Sequence, residues 1–221
     1  MAHGSDSKGS HGSTIGSSHG LYFIRHGETE DDKDGEAKKF SGWSQVPLTG
    51  EGIHRIQNTA NAISGIQMPV LFTSDLTRAY QSAMEVAQIT GSKVVPTAEL
   101  RATNFGDLAG RSGPDIVGLV RYFKRHPDMK IPGGESYQDS YDRFHKAFNG
   151  LVSLADKYPN MAVGALTHSE NLNMIPHIIN ENNPIHIAQS LVPDAGIVHV
   201  TRDANGRLQF QAIDVNGGAN S

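Results

Sequence analysis

The chain has 221 residues, a formal net charge of -4 and a pI near 6.2, so it can bury one large core or two small ones without covalent staples. The slight acidity argues against a general nucleic-acid surface, and no apolar run approaches the roughly 18 residues of a membrane span. Cysteine is absent, which excludes disulfides and thiolate chemistry and fits a reducing, cytoplasmic compartment.

Residues 1–20 are rich in Gly, Ser and His and lack apolar periodicity, so burial cannot offset their ordering entropy. They read as a flexible tail or an expression remnant, without the hydrophobic centre of a signal peptide. His3, His11 and His19 are too irregularly spaced to predict a metal site. Order begins at Leu21: the run Leu21-Tyr22-Phe23-Ile24 predicts a buried strand feeding the loop that opens at Arg25 and Gly27. The charged stretch from Glu30 to Lys39 reads as an exposed loop. Thr49 is a candidate N-cap for a helix to about Ile63, with Ile53, Ile56, Ala60 and Ile63 at helical spacing and Gly65 as its stop.

The pattern repeats with a strand at Val70-Leu71-Phe72, a helix capped by Ser74 or Asp75 and ended by Gly91, and a short strand at Val94-Val95. Helices are predicted at Pro114 to Arg125 and at Tyr137 to Lys157, the second with Tyr141, Phe144, Phe148, Leu151 and Leu154 on its apolar face. Next come a strand from Met161 to Leu166, a helix from Glu170 to Ile179, and a hairpin of Gly196 to Thr201 with Leu208 to Ile213 turned at Ala204-Asn205-Gly206. Alternating strands and helices predict an α/β fold of three α-β-α layers around a mainly parallel sheet. The expected organisation is a single domain over residues 21–215, with a helical lid inserted at about residues 103–136.

Three groups suited to phosphate chemistry follow three of these strands: Arg25-His26-Gly27-Glu28-Thr29, Thr73 through Arg78, and Thr167-His168-Ser169-Glu170. Ligands of such sheets bind outside the carboxyl ends of the strands, so neighbouring strands would bring two arginines and two histidines to one spot. Phosphoryl transfer relies on positioning and on neutralising the charge of the equatorial oxygens. Arg supplies planar donors that do not deprotonate; a neutral imidazole can attack phosphorus, and a second, protonated one can donate. Each element alone reads as surface polarity, a solvated helix face or a packing histidine. Their shared position at strand ends favours chemistry.

On these residues the chain resembles the histidine phosphatases of the phosphoglycerate-mutase-like superfamily. The blocks are Arg25-His26-Gly27-Glu28-Thr29, Ser41-Gly42-Trp43 with Pro47-Leu48-Thr49, Ser74-Asp75-Leu76 with Arg78-Ala79, Leu100-Arg101 with Phe105-Gly106 and Gly110, Pro132-Gly133-Gly134-Glu135-Ser136, and Thr167-His168. The resemblance implies that His26 is the nucleophile forming a phosphohistidine. Arg25, Arg78 and His168 would hold the phosphoryl oxygens, Ser41 and Gly42 would touch the substrate, and the Ser169 backbone would add a donor. It also implies no metal and no other cofactor, a small phosphorylated metabolite as partner, and two in-line transfers, first to His26 and then to water. A homodimer is left open.

Three departures stand out. Ala102 occupies the position where the family carries a Glu that protonates the leaving oxygen. An impaired chain is expected, either through a deliberate Glu→Ala change or through natural alteration with Glu99 or Asp107 as substitute donors; the first is preferred, and restoring Glu at 102 is expected to raise turnover by orders of magnitude. Asp32 stands where relatives have Asn, and a carboxylate beside phosphate predicts that it points away or that the loop is rearranged. The insert Asp34 to Lys39 reads as solvated surface, with a specificity loop as the alternative. The preferred function is phosphomonoester hydrolysis, with a phosphoglycerate mutase and a phosphate-binding pseudo-enzyme as alternatives. Of the lid cations, Arg111, Arg121, Lys124 and Arg125 read as a solvated helix face rather than as contacts to a second acidic group.

Overall fold

The computed structural model describes residues 19–33, 39–181 and 190–217. His3, His11 and most of the charged insert lie outside these residues, so the expectations made for them do too.

Six strands form one sheet. They are β1 (Gly20–Arg25), β2 (Val70–Ser74), β3 (Lys93–Thr97), β4 (Ala162–Thr167), β5 (Ile197–Arg202) and β6 (Leu208–Ile213). The order across the sheet is β3-β2-β4-β1-β5-β6. The first four strands run parallel to one another, β5 is antiparallel to β1, and β6 reverses again. Only β5 opposes the common direction. The helices are α1 (Gly50–Ala62), α2 (Thr77–Thr90), α3 (Pro114–Arg125), α4 (Tyr137–Lys157) and α5 (Ser169–Ile179).

Strand alternation sorts β1 between two cores. Leu21 and Phe23 face a cluster with Phe144, Phe148 and Leu151 of α4 and Leu172 and Ile175 of α5. Tyr22 and Ile24 face Ile56 and Ala60 of α1 and Ala79, Ala83 and Val86 of α2. The sheet is thus covered on both faces, which is why its central strands read as unbroken apolar runs. A third cluster joins Phe105, Leu108, Ile116, Val120, Phe123 and Ile131, giving the lid a small core of its own around α3.

Local chemistry sets the helix ends. Thr49 accepts from the Gly52 amide at 2.9 Å and caps α1, and Gly91 closes α2 in the left-handed region at φ 72°. Ser136 and Asp139 form a reciprocal capping box on α4. Two expectations fail here. Leu76, not Ser74 or Asp75, precedes α2, because Asp75 is drawn away into a two-point pair with Arg101 at 2.6 Å on each oxygen. Helix α1 ends at Ala62 without using Gly65. Ile53 lies outside the α1 core at 37 % exposure, since the apolar stripe narrows at the first turn.

Gly27 and Gly52 press the loop after β1 against the first turn of α1. A Cβ on Gly52 would collide with the backbone of Glu28, and one on Gly27 with the Gly52 carbonyl. Gly50 has open space around it. Gly52→Ala should therefore lose at least about 2 kcal/mol in denaturant unfolding, whereas Gly50→Ala should be neutral or stabilising by up to about 1 kcal/mol. Equal effects of the two substitutions would contradict this account.

Candidate active site

Strand adjacency brings the predicted groups together. Arg25 is opposite Thr167 in the β1–β4 pair, and Thr73 is opposite Leu166 in the β2–β4 pair, so the carboxyl ends of three neighbouring strands open at one edge. His26 is pinned at this edge by its own backbone: its amide donates to the Thr167 carbonyl at 3.0 Å, and its carbonyl accepts from Ala195 at 3.1 Å.

The His26 ring is held in one tautomer. Nδ1 lies 2.7 Å from the Gly27 carbonyl, which can only accept, so Nδ1 carries the proton. Nε2 keeps its lone pair and accepts from Arg78 Nε at 3.3 Å. Burial pulls its pKa down to about 3, with Arg78 and Arg25 acting in the same direction and Asp32 opposing them. Near neutral pH this imidazole is uncharged and nucleophilic.

The two arginines are braced from behind. Arg78 donates to the carbonyls of Ser44 at 3.0 Å and Gly42 at 2.8 Å. Arg25 pairs with Asp194 at 2.6 Å and faces Asp32 at 3.5 Å; its Nη1 reaches Ser190 Oγ and the Val192 carbonyl, each at 3.2 Å. Arg25 Nε is buried and makes no hydrogen bond among the described residues. Burial pushes the Asp194 carboxyl up to about 6, against the pull of Arg25.

His168 packs its ring 5.1 Å from that of His26 at an angle of 61°, and its Nε2 lies 2.9 Å from Ser74 Oγ. The expectation of a protonated second imidazole is corrected. Burial first, then Arg78, holds its pKa well below the ordinary value, so the ring is neutral. A Ser74 hydroxyl donating to Nε2 leaves the proton on Nδ1, a buried nitrogen without a partner among the described residues.

These residues meet at a cavity of about 330 Å³, of the size that suits small-molecule ligands. Arg25, His26, Ser41, Gly42, Arg78, Ala102 and Ser169 all line it, while His168 sits behind His26 at 1 % exposure. Ser41 Oγ donates to Asp31 at 2.8 Å, and Gly42 takes a positive φ of 49° with its carbonyl aimed at Arg78. Asp31, read as part of an exposed loop, is buried. Asp32 also lines the cavity instead of pointing away; Thr29 donates to it twice, at 2.9 and 2.6 Å, and Arg25 offsets its charge. Lys39 reaches the wall as well. Of the four lid cations only Lys124 does so.

Tyr137, Asn173 and Ser190 also line the cavity and were missed, as was Asp194 behind Arg25; Glu170, the last residue of the third strand-end group, lines it too. Glu170 stands out at its strand end, but nothing in the sequence assigns it a role. Nothing in the sequence marks Asp194, since it meets Arg25 only through the pairing of β5 with β1. Among the described residues no group of three His, Cys, Asp or Glu could hold a metal ion, and no helix is long and apolar enough to cross a membrane.

An open α/β sheet with two arginines and two histidines gathered at its carboxyl edge defines a phosphate-handling class of protein. Residues 21–213 match the family model of the histidine phosphatase superfamily (branch 1), and the chain belongs to that family. A protein of Cronobacter sakazakii named probable phosphoglycerate mutase GpmB is 30 % identical over 139 residues, covering 61 % of this chain and 63 % of its own length. The match to a second bacterial relative of that name, from Serratia proteamaculans, is 29 % identical and covers 62 % of this chain and 64 % of the relative. The chain thus spans less than two thirds of these relatives. Two solved structures share the fold. The alpha-ribazole phosphatase of Shigella flexneri has a TM-score of 0.69 at 22 % identity, covering 87 % of this chain and 95 % of the other. A mycobacterial glucosyl-3-phosphoglycerate phosphatase complexed with VO3 has a TM-score of 0.72 at 23 % identity, covering 88 % and 98 %.

The neutral His26 has a consequence for stability. Its pKa is near 6.5 unfolded and about 3 folded, so the unfolded chain binds the extra proton first. The stabilisation from keeping this ring neutral is complete above pH 6.5 and is lost as the pH falls towards 3. Between pH 7.5 and 5 the chain should lose about 2 kcal/mol on this account that His26→Asn does not lose. Urea titrations of both proteins at the two pH values measure the difference; parallel stability curves would contradict it.

Proposed function

We propose that this chain is a phosphomonoester hydrolase acting through a phosphohistidine on His26. One observation carries the reading: His26 Nε2 presents a lone pair in a ring kept neutral by burial, at a cavity wall where Arg78 and Arg25 supply fixed positive charge. A phosphomonoester enters with its phosphoryl group between the arginines. His26 Nε2 then forms the P–N bond in line with the leaving oxygen, Arg78 and Arg25 Nε draw off the charge of the equatorial oxygens, and His168 Nδ1–H adds a donor from behind. Water reverses the geometry, breaking the P–N bond and releasing inorganic phosphate. The Gly27 carbonyl accepts throughout from Nδ1–H and becomes a stronger partner as the ring gains charge.

The substrate is a small phosphorylated metabolite. Hydrolysis is favoured over mutase chemistry because Glu28-Thr29 after the Arg-His-Gly core and the compact chain look more like the phosphatases. The names of the solved structures that share the fold agree with that preference, and the names of the curated relatives point the other way. The resemblance implies a chain impaired by Ala102 unless another carboxyl group takes over the proton transfer. This cavity has Asp32 and Glu170 in its wall.

Incubation with 4-nitrophenyl phosphate followed by rapid denaturation should give a chain heavier by one phosphoryl group, labile in acid and stable in base, on the peptide containing His26. His26→Asn should remove both the adduct and at least about 10³-fold of the turnover. Equal labelling of that variant would refute the nucleophile assignment. Interconversion of phosphoglycerates faster than phosphate release would make the protein a mutase instead.

A further inference from the structure

Two carboxylates among the described residues line the cavity, and they are not equivalent. Asp32 is committed: one oxygen takes both Thr29 bonds and the other faces Arg25. Burial opposes its charge, but the Thr29 bonds and Arg25 outweigh burial and hold its carboxyl below the usual range. It keeps no proton to give near neutrality. The sequence-level substitutes are no better placed, for Glu99 and Asp107 are exposed and neither lines the cavity.

Glu170 is the remaining candidate. It lies in the first turn of α5, and Asn173 and Met174, three and four positions on, line the same cavity, so this helix turns one face towards it. Its carboxylate accepts from Ser169 Oγ at 3.2 Å and forms no ion pair among the described residues. The start of α5 is also clamped to the segment that carries Ala102. Asn171 Nδ2 donates to the carbonyls of Leu100 at 3.1 Å and Arg101 at 3.0 Å, and Thr167 Oγ1 donates to Leu100 at 2.8 Å. Ala102 and Glu170 thus border the cavity from adjoining walls. Burial draws the Arg78 pKa down, and Glu170 leads the charges that offset this, which puts its carboxylate within electrostatic reach of the guanidinium bonded to His26 Nε2.

We propose, building on the His26 reading above, that Glu170 is a further catalytic residue: it takes the proton-transfer task that the family pattern assigns to a Glu at the position of Ala102. In the first step the His26 Nε2–P bond forms, the P–O bond to the leaving group breaks, and the protonated Glu170 carboxyl gives its proton to the leaving oxygen, releasing a neutral alcohol. In the second step the Glu170 carboxylate removes a proton from water as the water oxygen bonds to phosphorus and the P–N bond breaks. Phosphate leaves, and Glu170 is protonated again for the next cycle.

Leaving-group chemistry tests this, because 4-nitrophenolate departs without a proton and an alkoxide does not. Glu170→Gln should release 4-nitrophenol from 4-nitrophenyl phosphate in a burst of about one per chain and then stall, with the phosphoryl group held on His26 and detectable by mass. Its release of glycerol from glycerol 1-phosphate should fall by about 10²–10⁴-fold. Adding Ala102→Glu to that variant should restore turnover at least about tenfold, whereas Ala102→Glu alone should change the parent by less than about tenfold, because the donor is already present. Two results would overturn the assignment: Glu170→Gln turning over glycerol 1-phosphate within threefold of the parent, or losing burst and steady state in equal proportion as a merely structural role predicts. A parent chain that forms no phosphoenzyme at all would instead overturn the His26 reading, and this assignment with it.

Discussion

The short contact between His26 Nδ1 and the Gly27 carbonyl governs the rest of the site. It places the ring proton on the side away from Arg78 and leaves Nε2 as a lone pair. Burial then keeps the ring uncharged in a wall that already holds two guanidinium groups. A protonated imidazole there would face like charges without water to screen them, so the geometry and the protonation state reinforce each other. The backbone supplies the pin. The His26 amide and carbonyl bond to β4 and to the loop before β5, so the ring inherits the rigidity of the central sheet.

The counter-ions around Arg25 qualify the picture of a purely cationic cavity. Asp194 and Asp32 both approach its Nη2, and Asp194 sits where burial makes its charge unfavourable. Such an arrangement holds the guanidinium in one pose without the entropy of a free side chain. It also moderates the net positive field at this end of the cavity.

Much of this was legible in the sequence, for physical reasons. Central strands buried on both faces produce apolar runs, and a loop that must turn sharply and carry charge breaks them, so β1, β2 and β4 and the groups after them stood out. The bounds of α3 and β6 followed from Pro114 and from the turn at Gly206, and α4 from its apolar face of Tyr141, Phe144, Phe148, Leu151 and Leu154. Contacts that depend on tertiary partners were not legible. Asp75 looks like a helix cap until Arg101 arrives from another segment. Asp32 looks repulsive until Arg25 and Thr29 are seen to satisfy it, and His168 looks chargeable until its full burial is known. Sequence spacing gives proximity along an element. It does not give desolvation, which decides most of the electrostatics here.

The lid's separate core has an evolutionary consequence. Phe105, Ile116, Val120 and Phe123 pack on one another, apart from the clusters that flank the sheet. Exchanges on α3 or around Tyr137 can therefore reshape the mouth of the cavity while the wall around His26 stays as it is. A fold built in this way can vary its cavity mouth at little risk to folding, because the mouth and the wall around His26 draw their stability from different clusters.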